Sequence, residues 1–296
     1  MQDICDAHVA TMSKRLLYKI DHGYQHLRVG IPRWRADDMG HALSTFVGAI
    51  GSVKDLMQLM VNMCDAFNKP PNRDGMGGGE NIGYNRDRLI KEAQQHMGMD
   101  AVNHYNFIFC GPAKGGKSTL INAIRGVKPN DAGAAGVGIN EVTQDVHCYD
   151  YPGLARVKLY DAPGAGTQSH PAATYFTDKK LYAFDCIFLI YDGSFLESCK
   201  QILEEAHAWG KPVAFLRTKA DRLLDDVMYN SGIDDEQTAK QHLYVQIQDA
   251  FQRKVVAPYG PHQLFLISAR QLRLARFDEI AFFEYIRHAA ARRQFT

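Results

Sequence analysis

Residues 111–118 constrain the fold of this 296-residue chain more than any other feature. Their sequence, GPAKGGKS, fits the pattern GxxxxGK[ST]. An apolar run with strand character, 105–110, precedes them, and a helix candidate follows at once. A strand, a glycine-rich turn and a helix in this order form a phosphate-binding loop, in which backbone N–H groups and the helix start surround phosphate oxygens. The segment therefore predicts an α/β domain that binds a nucleotide phosphate.

Within this loop each residue type has a chemical reason. We expect Lys117 to reach the β- and γ-phosphates and the Ser118 hydroxyl to ligate Mg²⁺. Lys114 lies too close to Lys117 for the variant loop of the partitioning ATPases, so we interpret it as a solvent-facing or phosphate-edge lysine. The predicted phosphate-binding residues are Gly111, Pro112, Ala113, Lys114, Gly115, Gly116, Lys117, Ser118 and Thr119.

Apolar runs and helical stretches alternate after residue 104. This alternation predicts a mostly parallel six-stranded sheet that is flanked by helices, with ligands bound at the carboxyl ends of its strands. The strand candidates are 105–110, 142–148, 155–160, 186–191, 212–216 and 263–267. The helix candidates are 117–125, 172–183, 198–209, 236–254 and 277–292.

The first hundred residues have a different pattern. We predict a helical N-terminal region over 1–100, which contains a Gly/Pro-rich loop or linker at 68–83 and a short helix at about 84–97, and a nucleotide-binding domain over 101–296. An apolar stripe on the predicted helix 42–67 favours packing within the chain, with dimerisation or membrane contact as the alternative. The basic stretch 14–35 is typical of a solvated face, with contact to anionic lipid as its alternative.

Two further motifs are expected to meet the γ-phosphate. Asp161 follows the strand candidate 155–160 and begins the turn DAPG, so it is suited to hold Mg²⁺ through water, while Gly164 offers a backbone N–H to the γ-phosphate. Thr143 is the only threonine of the Gly/Ala-rich segment 131–143. We expect it to complete the Mg²⁺ shell, although a β-branched residue also suits the start of a strand. The predicted metal ligands are Ser118, Thr143 and Asp161.

A third group of residues is suited to read the base. Thr218, Lys219 and Asp221 form the motif TKAD after the fifth strand candidate. The Asp221 carboxylate can accept hydrogen bonds from N1–H and the 2-amino group of guanine, whereas adenine lacks this donor pair. The lysine stem can cover the base plane. Backbone N–H groups of Ser268, Ala269 and Arg270, after the last strand candidate, can meet the guanine O6.

With these motifs in place, the sequence resembles guanine-nucleotide-binding GTPase domains, and among them the interferon-inducible, immunity-related GTPases. The closer likeness lies in GVGINEVT at 136–143, HCYDYP at 147–152, DAPGAG at 161–166 and FLRTKAD at 215–221. Dynamin-like and septin-like GTPases share much of this scheme. The resemblance covers about 104–292 and implies GTP and GDP as ligands, Mg²⁺ as the metal, and face-to-face dimers of the domain. It also implies a helical domain after the GTPase domain, for which the sequence ends too early.

The predicted activity is hydrolysis of GTP to GDP and phosphate, with Lys117, Ser118, Thr143 and Gly164 acting at the phosphates. Alanine stands at position 165, where Ras-like GTPases have a water-orienting glutamine. The chain is therefore a slow switch, or a partner such as a second copy completes it. Gln168 is a weak substitute, more typical of an exposed loop. A GTP-gated scaffold without turnover and an ATPase remain as alternatives.

The net charge and the cysteine content restrict the partners and the cellular compartment that we expect for the protein. A net charge of +1 argues against a partner such as nucleic acid that is bound mainly through charge. The six cysteines are scattered without a CxxC pair, which favours reduced thiols in a cytoplasmic protein. We expect a homodimer or oligomer through the GTPase domain, with peripheral membrane contact as a further option.

Overall fold

The computed structural model describes residues 79–136 and 145–292. The predicted helices within 1–67 and most of the predicted linker lie outside these residues. Helix α1, Gly79–His96, begins inside the segment 68–83 that we predicted as loop or linker. The last five positions of that segment are therefore helical, because the glycine-rich run ends at Gly79 and helix-compatible residues follow it.

The described strands form one six-stranded sheet in the order β2-β3-β1-β4-β5-β6. Only β2 is antiparallel, to β3, and the other described neighbours pair in parallel. This arrangement confirms the predicted α/β fold with a mostly parallel six-stranded sheet. The strands are β1 (Tyr105–Cys110), β2 (His147–Asp150), β3 (Val157–Asp161), β4 (Cys186–Ile190), β5 (Val213–Arg217) and β6 (Gln263–Leu266).

Helices cover both faces of the sheet because its inner strands are apolar on both sides. Along β1, Ile108 and Cys110 pack into one core cluster with α3 and α4, while Phe107 and Phe109 pack into a second with α2 and α8. The helices are α2 (Lys117–Arg125), α3 (Ala172–Asp178), α4 (Glu197–Ala208), α5 (Ala220–Ser231), α6 (Glu236–Phe251), α7 (Ala257–Tyr259) and α8 (Glu279–Ala291). In the described part of the chain, no helix combines the length and apolarity that a membrane crossing requires.

Besides α1, four further elements differ clearly from the sequence prediction. Helix α5 was missed: no helix was predicted after the fifth strand candidate, whereas the chain enters a helix at Ala220 within the motif TKAD. The predicted helix 172–183 is split, since Lys180 adopts a left-handed conformation with φ 50° and a short 3₁₀ turn follows. The predicted helix 236–254 changes to a π turn after Phe251. Strand β2 begins at His147 rather than 142, and 137–144 lie outside the described residues.

Candidate nucleotide site

The candidate site lies at one edge of the sheet because four of its parallel strands end there. The phosphate loop follows β1, the DAPG turn follows β3, the TKAD motif follows β5, and Ser268 follows β6. Parallel strands bring their carboxyl ends to a common edge, which is where open α/β sheets bind ligands. Motifs that lie far apart in the sequence, from the phosphate loop to Ser268, therefore become neighbours.

The phosphate loop can only be built with small residues at its turning points. A Cβ on Gly115 would lie 2.8 Å from Ile190 Cγ2, and one on Gly111 would lie 3.0 Å from the Ile190 carbonyl oxygen. Gly111 also has φ 122° and Gly116 has φ 95°, a region that disfavours side chains. Gly116 is the N-cap of α2 and supplies no side-chain cap. The first N–H groups of this helix, which lack partners within the helix, thus face the inside of the loop, as an anion site requires.

Lys117 lies folded back along the same loop. The side chain is buried, and its Nζ donates to the carbonyl oxygens of Gly111 at 3.2 Å and Pro112 at 2.9 Å. Lys114 is exposed with φ 59°, as expected of a solvent-facing residue, and its carbonyl oxygen is used elsewhere in the site. The structure therefore keeps one lysine inside the loop and one at its rim.

Two of the three predicted metal ligands are in contact. The Ser118 hydroxyl donates to Asp161 Oδ2 at 2.5 Å, and Asp161 is 1% exposed at the end of β3. Thr143, the third, falls within 137–144 and so lies outside the described residues. A residue that we did not predict fixes the approach to that segment: Asn122 of α2 exchanges two hydrogen bonds with the backbone of Ala135, at 2.8 and 2.7 Å.

The DAPG turn packs directly against the phosphate loop. A Cβ on Gly164 would lie 2.6 Å from Ala113 Cβ, so only glycine allows this approach. The Ala165 N–H donates to the Gly111 carbonyl oxygen at 3.0 Å. The Ala165 methyl is buried in the core cluster that also contains Tyr175, so the side chain at position 165 points away from solvent. Gln168 is exposed.

The base motif is tied to the phosphate loop by two side chains. The Thr218 hydroxyl donates to the Gly115 carbonyl oxygen at 2.5 Å, and Lys219 Nζ donates to the Lys114 carbonyl oxygen at 2.8 Å. Lys219 itself has φ 61° and caps α5. Burial, together with the positive charges of Arg222 and Arg217, lowers the pKa of Lys219 below its usual value.

Asp221 is held in place by the loop after β6. The Ser268 hydroxyl donates to Asp221 Oδ1 at 2.9 Å. The Ser268 N–H, which we predicted as a contact to the guanine O6, instead donates to Glu279 Oε1 at 2.9 Å. A buried carboxylate that we did not predict therefore already accepts from this N–H, and the contact of the Ser268–Arg270 loop to the guanine O6 stays a prediction.

Glu279 has no motif that would mark it in the sequence. It is buried at the start of α8 and also accepts from the Phe277 N–H. Its burial raises the pKa of its carboxyl above the usual value, while these hydrogen bonds act in the opposite direction. An acidic residue in the first turn of the last helix candidate was the one available signal, and it is a common one.

Comparisons with known proteins agree with this arrangement. A family model described as Interferon-inducible GTPase (IIGP) matches residues 88–281. Interferon-inducible GTPase 1 of Mus musculus is 34% identical over 116 residues, which cover 39% of this chain and 28% of that protein. Interferon-inducible GTPase 5 of Rattus norvegicus is 35% identical over 111 residues, which cover 38% and 24%. The matched stretch thus spans less than a third of either relative.

Among solved structures, a probable GTP-binding protein engB is similar with a TM-score of 0.42 and 17% identity. The match covers 64% of this chain and 99% of that one.

Proposed function

This chain belongs to the interferon-inducible GTPase family, and from that premise we propose that it binds GTP with Mg²⁺ and hydrolyses it to GDP and phosphate as a nucleotide-dependent switch. In this proposal Lys117 and the loop N–H groups hold the phosphates, Ser118, Thr143 and Asp161 serve the metal, Gly164 senses the γ-phosphate, and Asp221 with Lys219 selects guanine.

One observation carries the proposal: hydrogen bonds join the four motifs into one continuous site. Ser118 is bonded to Asp161, Thr218 and Lys219 are bonded to the phosphate loop, and Ser268 is bonded to Asp221. A site that contains a phosphate cradle at one end and a fixed carboxylate at the other fits a guanine nucleotide. An ATPase would have no use for a positioned Asp221.

The residues that surround the expected metal position fit Mg²⁺. A hydroxyl and a buried carboxylate lie within hydrogen-bond distance of each other beside the phosphate loop. Oxygen ligands of this kind, few in number and supplemented by phosphate and water, are the set that Mg²⁺ prefers. When bound, Mg²⁺ would neutralise charge on the β- and γ-phosphates.

Position 165 favours slow turnover unless a partner contributes. The buried methyl of Ala165 has no group that could orient water, and the nearest amide side chain along the chain, Gln168, is exposed. We therefore include self-association through the GTPase domain in the proposal, since a second copy could supply a group or order the loops. The same observation favours the second candidate, a GTP-gated scaffold that binds without hydrolysis.

Phosphate release per molecule, measured over a series of protein concentrations with Mg²⁺ and GTP, separates these candidates. Turnover that rises with concentration supports dimer-assisted hydrolysis, and tight binding without turnover at any concentration supports the scaffold. Failure of both GDP and a non-hydrolysable GTP analogue to bind, in the presence of Mg²⁺, would refute the proposed function itself.

A further inference from the structure

The hydroxyl of Tyr175 contacts the DAPG turn from the side of the core. Tyr175 lies in α3, is fully buried, and its hydroxyl donates to the Pro163 carbonyl oxygen at 2.6 Å. Pro163 is the residue before Gly164 in the DAPG turn. A side chain from a separate helix therefore holds the peptide group that joins Pro163 to Gly164.

This contact fixes the direction of the Gly164 N–H. The described residues contain no cis peptide bond, and in a trans peptide the carbonyl and the N–H point in opposite directions. Since the Pro163 carbonyl points to Tyr175 in the core, the Gly164 N–H points to the other side. Within 79–136 and 145–292, the Gly164 N–H donates to no other residue.

The chain on both sides of this peptide is anchored to β1 and the phosphate loop. The Ala162 N–H donates to the Phe109 carbonyl oxygen at 3.1 Å, and the Ala165 N–H donates to that of Gly111 at 3.0 Å. The peptide between these anchors is the one most able to flip, because a flip rotates ψ of Pro163 and φ of Gly164, and glycine accepts most φ values. A fixed orientation at this place therefore needs a contact of its own.

We propose that Tyr175 is a positioning residue for γ-phosphate recognition, which holds the Pro163–Gly164 peptide so that its N–H faces the terminal phosphate of GTP. This role rests on the function proposed above, and it would make the preference for GTP over GDP depend on a hydroxyl that never touches the nucleotide. GDP lacks the γ-phosphate, so its binding does not use this N–H.

The variant Tyr175→Phe tests the proposal, since it removes the hydroxyl and keeps the ring. Affinities for GDP and for a non-hydrolysable GTP analogue are measured with Mg²⁺ by competition against a fluorescent nucleotide. We expect the affinity for the analogue to fall about fivefold, the usual size of one lost hydrogen bond, with GDP affinity unchanged. Partial unfolding would lower the number of binding sites, not the ratio of the two affinities.

Tyr191→Phe is the matched control. Tyr191 is also buried, and its hydroxyl also donates to a backbone carbonyl, that of Gly193 at 3.3 Å in the loop after β4. We expect this variant to leave the ratio of the two affinities unchanged. An unchanged ratio in Tyr175→Phe, or an equal change in both variants, overturns the role of Tyr175. A wild-type protein that binds neither nucleotide refutes the proposed function instead.

Discussion

The two ends of the candidate site are built from different parts of the chain's chemistry. The phosphate end is formed mainly by closely packed backbone. Gly111, Gly115 and Gly164 each stand where a Cβ would lie 3.0 Å or less from a neighbouring atom. At the base end, side chains do the work, because Lys219 bonds to the loop and Ser268 bonds to Asp221. One end is a shape that only glycine permits, and the other is a set of donors and acceptors.

Because of this difference, we expect the phosphate end to determine the affinity for the nucleotide and the base end to determine the selectivity between bases. Backbone N–H groups and a lysine bind any polyphosphate, whichever base is attached to it. A carboxylate held by a hydroxyl distinguishes bases, since a base without the matching donors leaves it unpaired. We therefore expect changes at the base end to alter which base is bound, and changes at the phosphate end to weaken nucleotides equally whichever base they carry.

The largest expected effect is a change of base preference in Asp221→Asn. An amide accepts at one atom and donates at the other, so it matches the extra carbonyl of xanthine and no longer matches guanine. We expect the ratio of GTP to XTP affinity to fall by about 10⁴-fold, the discrimination typical of a site built around hydrogen bonds. Competition between the two nucleotides measures it.

Asp225→Asn is the control for this change, because Asp225 is an exposed residue of the same helix α5. It should leave the ratio near its wild-type value. Unaltered GTP affinity in Asp221→Asn would break the assignment of this region as the base end.

Lys117→Ala should show the opposite pattern at the phosphate end. Lys117 is buried within the loop, so its loss removes a desolvated charge from the phosphates. We expect about 100-fold weaker binding of GTP and XTP alike, as is typical of a buried charge pair that loses one partner. Titration calorimetry with each nucleotide checks whether the losses are equal.

The exposed Lys114 provides the matched control. Only its carbonyl oxygen contacts Lys219, so Lys114→Ala keeps that hydrogen bond and should change affinity less than about threefold. A loss in Lys114→Ala as large as that in Lys117→Ala would contradict the separate positions of the two lysines.

Thr218→Val tests whether the two ends are mechanically joined. The Thr218 hydroxyl donates to the Gly115 carbonyl oxygen, and valine keeps the shape while it removes this hydrogen bond. We expect about tenfold weaker binding of GDP, because a buried carbonyl left unpaired costs about 1–3 kcal/mol and disturbs the loop. Since neither base nor phosphate contacts are removed, the ratio of GTP to XTP affinity should stay constant; a changed ratio would show that the link also orients the base.

The phosphate end was predicted most completely from the sequence, because its geometry requires glycines at fixed positions and the motif contains them. The strand Tyr105–Cys110 and the helix Lys117–Arg125 were predicted with the bounds that the structure has. The helix from Ala220 was missed because its start coincides with a recognition motif, and short motifs resemble ordinary turns.

The residues that hold the backbone of the site loops could not be predicted from the sequence, for a different reason. Asn122, Tyr175 and Glu279 each make at least one hydrogen bond to a backbone group that lies from 11 to 13 residues away along the chain. A hydrogen bond between a side chain and a distant backbone group leaves no periodicity, spacing or composition signal. Such contacts appear only when packing brings the elements together.

The smallest expected effect is a loss of stability in acid that both ends should share. His207 and His262 have their Nε2 atoms 3.1 Å apart, and burial together with the neighbouring His207 lowers the pKa of His262 to about 4. Burial also lowers the pKa of His207. Because the unfolded chain binds these protons near pH 6.5 and the folded chain does not, stability falls as the pH drops from about 6.5 to 4.

At pH 5 we expect this loss to be on the order of 1–2 kcal/mol in the free energy of unfolding, measured by urea denaturation. His262→Gln should flatten the pH dependence, whereas a variant as acid-sensitive as the wild type would show that other groups cause the loss. His207 lies in the last turn of α4 and His262 directly precedes β6, away from the loops that follow β1, β3 and β5. Acid should therefore lower the free energy of unfolding of the domain without altering the ratio of GTP to XTP affinity. A ratio that changes with pH in step with stability would contradict the separation of base recognition from overall folding.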